Sequence, residues 1–209
     1  MSQTVHQAIQ SAKAVVFDFD GTLVDSNEIK RLGFDYAFAE YPQFMDEIRA
    51  YCYSFNHTNR FEKFRHVTEK ILHLVYTPQM EEVFAQRYAE FTTSSVAAAA
   101  EVPGAEAFIR SLAGVRPALL SSTPTEILVT ILARRGWDTL FPTVQGAPVD
   151  KRAWLVDFYT ALRCRPDQVV FFGDTDEDAQ AGRSAGCLFI RVGRSSDPEG
   201  LAIGDFTGL

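Results

Sequence analysis

Asp18 and Asp20 close the apolar run "VVFDFD", which begins at Val15 and is ended by Gly21. In an extended segment residues i and i+2 point to the same side, so both carboxylates face one spot. Carboxylates that close raise one another's pKa unless a cation or a proton separates them. Three explanations fit: a metal, a phosphate reaction, or a capped turn. Further along, Ser121 and Ser122 end the run "RPALLSS", Asp174 ends "QVVFFGD", and Lys151 opens a helical pattern after "FPTVQG". Asp18, Asp20 and Asp174 offer hard oxygen ligands, which suit Mg²⁺ better than zinc or copper. Ser121 can donate a hydrogen bond to a phosphoryl oxygen, and Lys151 can balance its charge. With those cations at hand, Asp18 can stay ionised beside a phosphate and attack phosphorus to give an aspartyl-phosphate. Asp20 can protonate the leaving alcohol and then activate water for the second half-reaction.

For these residues to meet, the elements that carry them must end on one edge. "AVVFDFD", "RPALLSS", "FPTVQG", "QVVFFGD" and "CLFIRV" are short apolar runs bounded by glycine or polar residues, and each is expected to be a strand. Between them the apolar residues recur at helical spacing: Phe108, Ile109 and Leu112; Ile127, Leu128, Ile131 and Leu132; Trp154, Leu155, Phe158 and Leu162. A further helix and its glycine stop are expected over "DEDAQAGRSAG". Strands alternating with helices predict an α/β fold with a mainly parallel sheet covered on both faces. In such sheets the site lies beyond the carboxyl ends of the strands, where Asp18, Asp20, Ser121, Lys151 and Asp174 all fall.

From Asn27 to about Ala100 no comparable strand is visible. Phe61, Phe64, Thr68, Ile71, Leu72 and Val75 predict one helix, and Pro78 starts another through "QMEEVFAQRYAEF". His66, Glu69 and His73 share the spacing of one helix face and are read as a solvated face, not a metal site. Asp176 and Glu177 are read as acids that complement a helix dipole.

A length of 209 residues suits one core domain with a smaller insertion. The net charge of −7 argues against a nucleic-acid or anionic-membrane surface, but not against an anionic substrate met through a cation. Three scattered cysteines, Cys52, Cys164 and Cys187, make no zinc pattern and suit a reducing compartment. No apolar run approaches the ~20 residues needed to cross a bilayer. A cytoplasmic monomer acting on a small phosphate ester is expected.

The motifs resemble those of the haloacid dehalogenase-like (HAD) superfamily, in that family's order. "DFDGTLVD" resembles its first motif, "ALLSS" its second, Lys151 its third-motif lysine, and "FFGDTDEDAQAG" its fourth, GDxxxD, with Asp174 and Asp178 as the acids. Two strings differ from common ones: "DKRAWL" lacks a proline after the lysine, and "SSTP" stands where a Thr-Asn-Lys-Pro type is frequent. The resemblance implies a Rossmann-like core, residues 1–25 and 101–209, with an α-helical cap over 26–100 that selects the substrate. It is nearest to phosphoglycolate-phosphatase-like and β-phosphoglucomutase-like members. It further implies Asp18 as nucleophile, Asp20 as acid/base, and Ser121, Ser122 and Lys151 at the phosphate. It places Mg²⁺ on Asp18, the backbone carbonyl of Asp20, Asp174 and Asp178, and puts Thr22 at the hinge side of the motif. Arg60 matches a cap arginine that meets the far end of the substrate.

A magnesium-dependent phosphatase is therefore the leading expectation. A sugar phosphomutase would share the nucleophile and the acid/base. A dehalogenase would need neither Asp20 nor a metal, so the intact DxD argues against it. A receiver-like phosphoacceptor carries its acidic pair and its phosphoacceptor on different strands and lacks so long a helical insertion.

Overall fold

A computed structural model of the protein describes residues 4–54, 58–193 and 200–209. The chain forms two compact units, Met1–Asp25 with Ala99–Leu209, and Ser26–Ala98.

The first unit is built on a six-stranded sheet. Its strands are β1 (Ala14–Phe17), β2 (Arg116–Pro124), β3 (Thr143–Ala147), β4 (Val169–Gly173), β5 (Leu188–Val192) and β6 (Leu201–Ile203). They lie in the order β3-β2-β1-β4-β5-β6, and every pair is parallel. Parallel neighbours need crossovers, and from β1 to β5 helices supply them. These are α6 (Ala105–Ser111), α7 (Thr125–Arg135), α8 (Lys151–Ala161) and α9 (Asp176–Ser184), with α1 (Val5–Ser11) ahead of β1. The α/β class expected from the alternation is the one observed. β6 is a strand the apolar pattern does not reveal: "LAI" is three residues long and pairs at the sheet edge beside β5.

Side-chain alternation divides the core between the two sheet faces. Ala14, Val16, Ala118, Leu120, Val169 and Phe171 face one way and pack with Leu155 and Phe158 of α8 and Ala179 of α9. Phe17 and Phe172 face the other way, stacked at 5.3 Å between ring centroids, with Phe108, Phe141 and Phe206 around Phe17. Burial on both faces explains why β1 and β4 read as unbroken apolar runs rather than alternating ones. Register then sets the site. Phe17 lies opposite Leu119 and Phe172, so the residues that follow in β1, β2 and β4 emerge together. β1 lies inside the sheet between β2 and β4, with successive connections departing to either side of it, which makes its end a topological switch point.

The chain leaves and returns to this unit through paired segments. Asp25 N–H donates to the Ala100 carbonyl at 3.0 Å, and Val102 N–H to that of Leu23 at 2.9 Å.

The second unit is helical: α2 (Asn27–Ala37), α3 (Met45–Ser54), α4 (Arg60–His66) and α5 (Pro78–Ala98), with a π-helical turn over Val67–Ile71. Its core is aromatic, with Phe38 and Phe84 at 4.5 Å and Phe34 and Tyr88 at 4.9 Å. The helix expected to run through Val75 stops earlier. The ladder widens after His66, His73 takes a φ of 55°, and Val75 is 81 % exposed. His73 therefore shares no helix face with His66 and Glu69. Lys63 is buried, its Nζ 2.7 Å from the Cys52 carbonyl and 4.9 Å from the Phe34 ring centroid. No helix among the described residues is long and apolar enough to cross a membrane.

Candidate active site

The residues after β1 turn sharply. Gly21 has a φ of 81°, a conformation that costs glycine little, and its N–H reaches the Val24 carbonyl at 2.8 Å. Asp18 continues the ladder, its N–H donating to Phe172 at 2.8 Å. Its carboxylate is buried, and Oδ1 accepts from Lys151 Nζ at 2.6 Å. The same ammonium donates to Asp178 Oδ1 at 2.6 Å. Lys151 is the first residue of α8, whose N-cap Asp150 accepts from Ala153 N–H, so the helix start itself aims the lysine.

Asp178 arrives from the first turn of α9. Thr175 caps that helix by accepting from the Asp178 N–H at 3.1 Å, while its own hydroxyl donates to Asp178 Oδ2. Gly173 makes room for the acid: a Cβ there would lie 2.5 Å from Asp178 Cβ. The spacing of GDxxxD thus has a packing reason as well as a chemical one. Asp174 stands between them, and Thr22 donates to its Oδ1 at 3.4 Å. Carboxylate oxygens of Asp18, Asp174 and Asp178 all lie within 4.8 Å of one another, the one acid cluster of metal-binding spacing among the described residues.

Three carboxylates against one ammonium leave the cluster short of positive charge. Burial, and then Asp178 and Asp174, push the Asp18 carboxyl well above its ordinary value, with Lys151 opposing them. Burial also works against the charge on Lys151, but Asp18 and Asp178 more than offset it and hold the ammonium above its usual range. A hard divalent cation would relieve the crowding, and an all-oxygen donor set suits such an ion.

Asp20 stands apart from the three-acid cluster. Its Oδ2 accepts from the hydroxyl of Thr123 at 2.7 Å. Ser121, near the end of β2, is buried, and its Oγ accepts from Thr123 N–H at 3.1 Å. Ser122, between them, is exposed. Asp18, Asp20, Ser121, Lys151, Asp174 and Asp178 are thus gathered at one edge of the sheet unit.

Arg60 belongs to the helical unit. It opens α4 behind an Asn59 cap, with its guanidinium 4.9 Å from the Phe61 ring centroid and 5.8 Å from that of Tyr88. Its Nε is buried without a hydrogen-bond partner, and burial lowers its pKa.

Two side chains make contacts that the sequence did not assign, although Thr123 was expected to alter loop contacts near the substrate. Thr123 sits where the motif comparison showed a departure, and Arg191 reads as an ordinary residue of a strand. Arg191 is buried in β5, with Nη1 2.8 Å from the Asp174 carbonyl and Nη2 2.6 Å from Asp176 Oδ1. Only the register of β5 against β4 brings it to that loop, with Gly173 opposite Arg191. Asp176, read as a helix-dipole acid, is also the partner of that arginine.

Comparison with known proteins agrees with this fold. The profile of the haloacid dehalogenase-like hydrolases matches residues 12–186. A phosphoglycolate phosphatase of Psychrobacter arcticus is 29 % identical over 189 residues, covering 82 % of this chain and 79 % of the relative. A predicted phosphoglycolate phosphatase from Haemophilus somnus superposes with a TM-score of 0.70 at 20 % identity, over 94 % of this chain and 88 % of that one. CbbY from Rhodobacter sphaeroides, solved with phosphate, superposes with a TM-score of 0.72 at 18 % identity, over 94 % and 96 %. At such identities the two structures speak for the fold alone. The profile match spans most of the chain, and the protein belongs to the haloacid dehalogenase-like hydrolase family.

Proposed function

We propose that the protein is a Mg²⁺-dependent phosphatase that hydrolyses a small phosphorylated metabolite, of the phosphoglycolate or sugar-phosphate type, through an aspartyl-phosphate. The observation that carries this reading is the shared ammonium of Lys151 between Asp18 and Asp178, with Asp174 beside them. A nucleophilic carboxylate needs such surroundings if it is to remain ionised next to a phosphate.

Asp18, the backbone carbonyl of Asp20, Asp174 and Asp178 would hold the metal, Asp178 either directly or through a coordinated water. When bound, Mg²⁺ would neutralise charge on the phosphoryl oxygens and on the clustered carboxylates. The chain's own residues do the rest. Lys151 offsets the charge of the phosphoryl group, and the Ser121 hydroxyl donates to one of its oxygens, with Ser122 adjoining. A carboxylate oxygen of Asp18 attacks phosphorus. The bond from phosphorus to the ester oxygen breaks, its electron pair stays on that oxygen, and Asp20 supplies the proton that releases the alcohol. Water then gives a proton to Asp20 and attacks the same phosphorus. The bond to Asp18 breaks, its electrons return to the carboxylate, and inorganic phosphate leaves.

The helical unit is assigned the choice of substrate, with Arg60 as the cation for a distal anionic group. Its buried, unpartnered Nε supports that assignment. Three free thiols, two of them buried, accord with a reducing, cytoplasmic setting.

The test is release of inorganic phosphate from 2-phosphoglycolate and a panel of sugar phosphates, with Mg²⁺ and with excess chelator. Release that requires both Mg²⁺ and Asp18 supports the reading. Isomer formation without phosphate release would make the enzyme a phosphomutase instead.

A further inference from the structure

We propose that Thr123 is a positioning residue for the reaction, fixing with its hydroxyl the carboxylate of Asp20 and with its N–H the hydroxyl of Ser121. The inference rests on the phosphatase reading for the roles of those two residues, and on geometry for the link between them.

Thr123 is 5 % exposed. Its Oγ1 donates to Asp20 Oδ2 at 2.7 Å, across 103 positions of sequence. Its N–H donates to Ser121 Oγ at 3.1 Å. Because Ser121 Oγ accepts in that bond, the bond does not consume its own hydrogen, which can be given to a phosphoryl oxygen. One residue thereby orients the proposed proton carrier and the proposed phosphate donor together.

The backbone of Thr123 is held from the other side. The β2–β3 register runs regularly to Leu120 opposite Gln145, then shifts and resumes at Pro124 opposite Ala147. Such irregularities re-aim side chains beside active sites. Gly146 faces the shifted segment. A Cβ on Gly146 would lie 2.3 Å from the Thr123 carbonyl oxygen and 2.5 Å from Thr125 N. Gly146 N–H also donates to Thr125 Oγ1 at 2.9 Å. These contacts are made by the backbone at 123 and by Thr125, not by the Thr123 side chain, so Thr123→Val, which keeps the branched shape, is expected to keep the fold. Removing the hydroxyl spares the N–H bond to Ser121 and deletes its hold on Asp20. A loosely held proton carrier is slow, because catalysis depends on sub-ångström placement.

The experiment compares wild type, Thr123→Val and Thr123→Ser on two esters. In 2-phosphoglycolate the leaving alcohol needs a proton; in p-nitrophenyl phosphate the leaving phenolate needs little help. kcat/KM reports the steps up to alcohol release. Thr123→Val is expected to lower it about tenfold or more for 2-phosphoglycolate, short of losing the ~10²–10⁴-fold worth of a general acid. For p-nitrophenyl phosphate the fall is expected to stay within about threefold, with KM little changed for either ester. Thr123→Ser, which keeps the hydroxyl, should restore both. Equal falls for the two esters, or no fall, would overturn the inference. The crystal structure of Thr123→Val reads the positioning itself, even if wild type hydrolyses neither ester and the phosphatase reading falls. An Asp20 carboxylate that leaves its wild-type rotamer supports the link, and one that stays put refutes it.

Discussion

Lys151 and Asp178 meet at 2.6 Å, from the first turn of α8 to the first turn of α9, and both side chains are withdrawn from solvent. The same ammonium also holds Asp18, so three elements of the sheet unit depend on one charge. Lys151→Met should abolish turnover and also destabilise the protein. Removing one partner of a buried pair typically costs about 3–5 kcal/mol. Urea unfolding at neutral pH would measure it. A variant as stable as wild type would show that the carboxylates do not rely on the lysine.

Asp18→Asn should abolish turnover while leaving the fold intact. Burial and two other acids disfavour the Asp18 charge more than Lys151 favours it, so neutralising it costs the fold little. Far-UV circular dichroism and the melting temperature check the fold, and phosphate release checks the activity. Turnover above background in this variant would reject Asp18 as the nucleophile. Asp20→Asn should lower turnover by the ~10²–10⁴-fold that a general acid and base contributes.

The raised carboxyl of Asp18 predicts how stability follows pH. Its folded pKa lies above the unfolded value, chiefly through burial and then through Asp178 and Asp174, against Lys151. The folded protein therefore binds that proton more tightly. The stability it contributes is complete at low pH and is lost as pH rises through the folded pKa. A divalent cation needs the deprotonated acid, so its stabilisation grows over the same range. Differential scanning fluorimetry from pH 5 to 8 should show a Mg²⁺-dependent rise in Tm that widens with pH and flattens in Asp18→Asn. A pH-independent rise would place the cation elsewhere.

Arg191 ties the β4–α9 loop to β5 through the Asp174 carbonyl and the Asp176 carboxylate. Arg191→Met should free that loop. The expected result is a loss of about 1–3 kcal/mol from the deleted guanidinium hydrogen bonds and a weaker Mg²⁺ affinity by calorimetry. Lysine lacks the fork that spans both acceptors, so Arg191→Lys should recover only part of either quantity. An unchanged Mg²⁺ affinity in Arg191→Met would confine the arginine to stability.

Burial pushes the thiols of Cys52 and Cys187 up to about 12. Only thiolate reacts with alkylating agents, and at pH 8 such a thiol is ionised to about one part in 10⁴. Iodoacetamide should label half-buried Cys164 in the native protein and reach the other two only after unfolding, as peptide mass spectrometry would report. Rapid native labelling of Cys187 would show that the turn from α9 into β5 opens.

Much of this protein was legible in its sequence because its signals are local. The unbroken apolar runs "AVVF" and "VVFFG" read as strands buried on both faces, and they are β1 and β4. The acids and the lysine sit at the ends of such runs, so a rule about parallel sheets sufficed to bring them together. Where local signals thin out, the reading failed. β6 has only three residues and exists because β5 offers it an edge. The helical spacing that includes Val75 continues past the point where the backbone departs from helix, since His73 turns left-handed and periodicity carries no information on φ. The sequence by itself determined the sheet class, the order of the motifs and the acids at their ends. The tertiary structure alone decided what holds those acids. Thr123 reaches Asp20 through the shifted β2–β3 register, and Arg191 reaches Asp174 through the pairing of β5 with β4. Contacts between residues far apart in sequence depend on register, and register is set by the packing of the whole sheet.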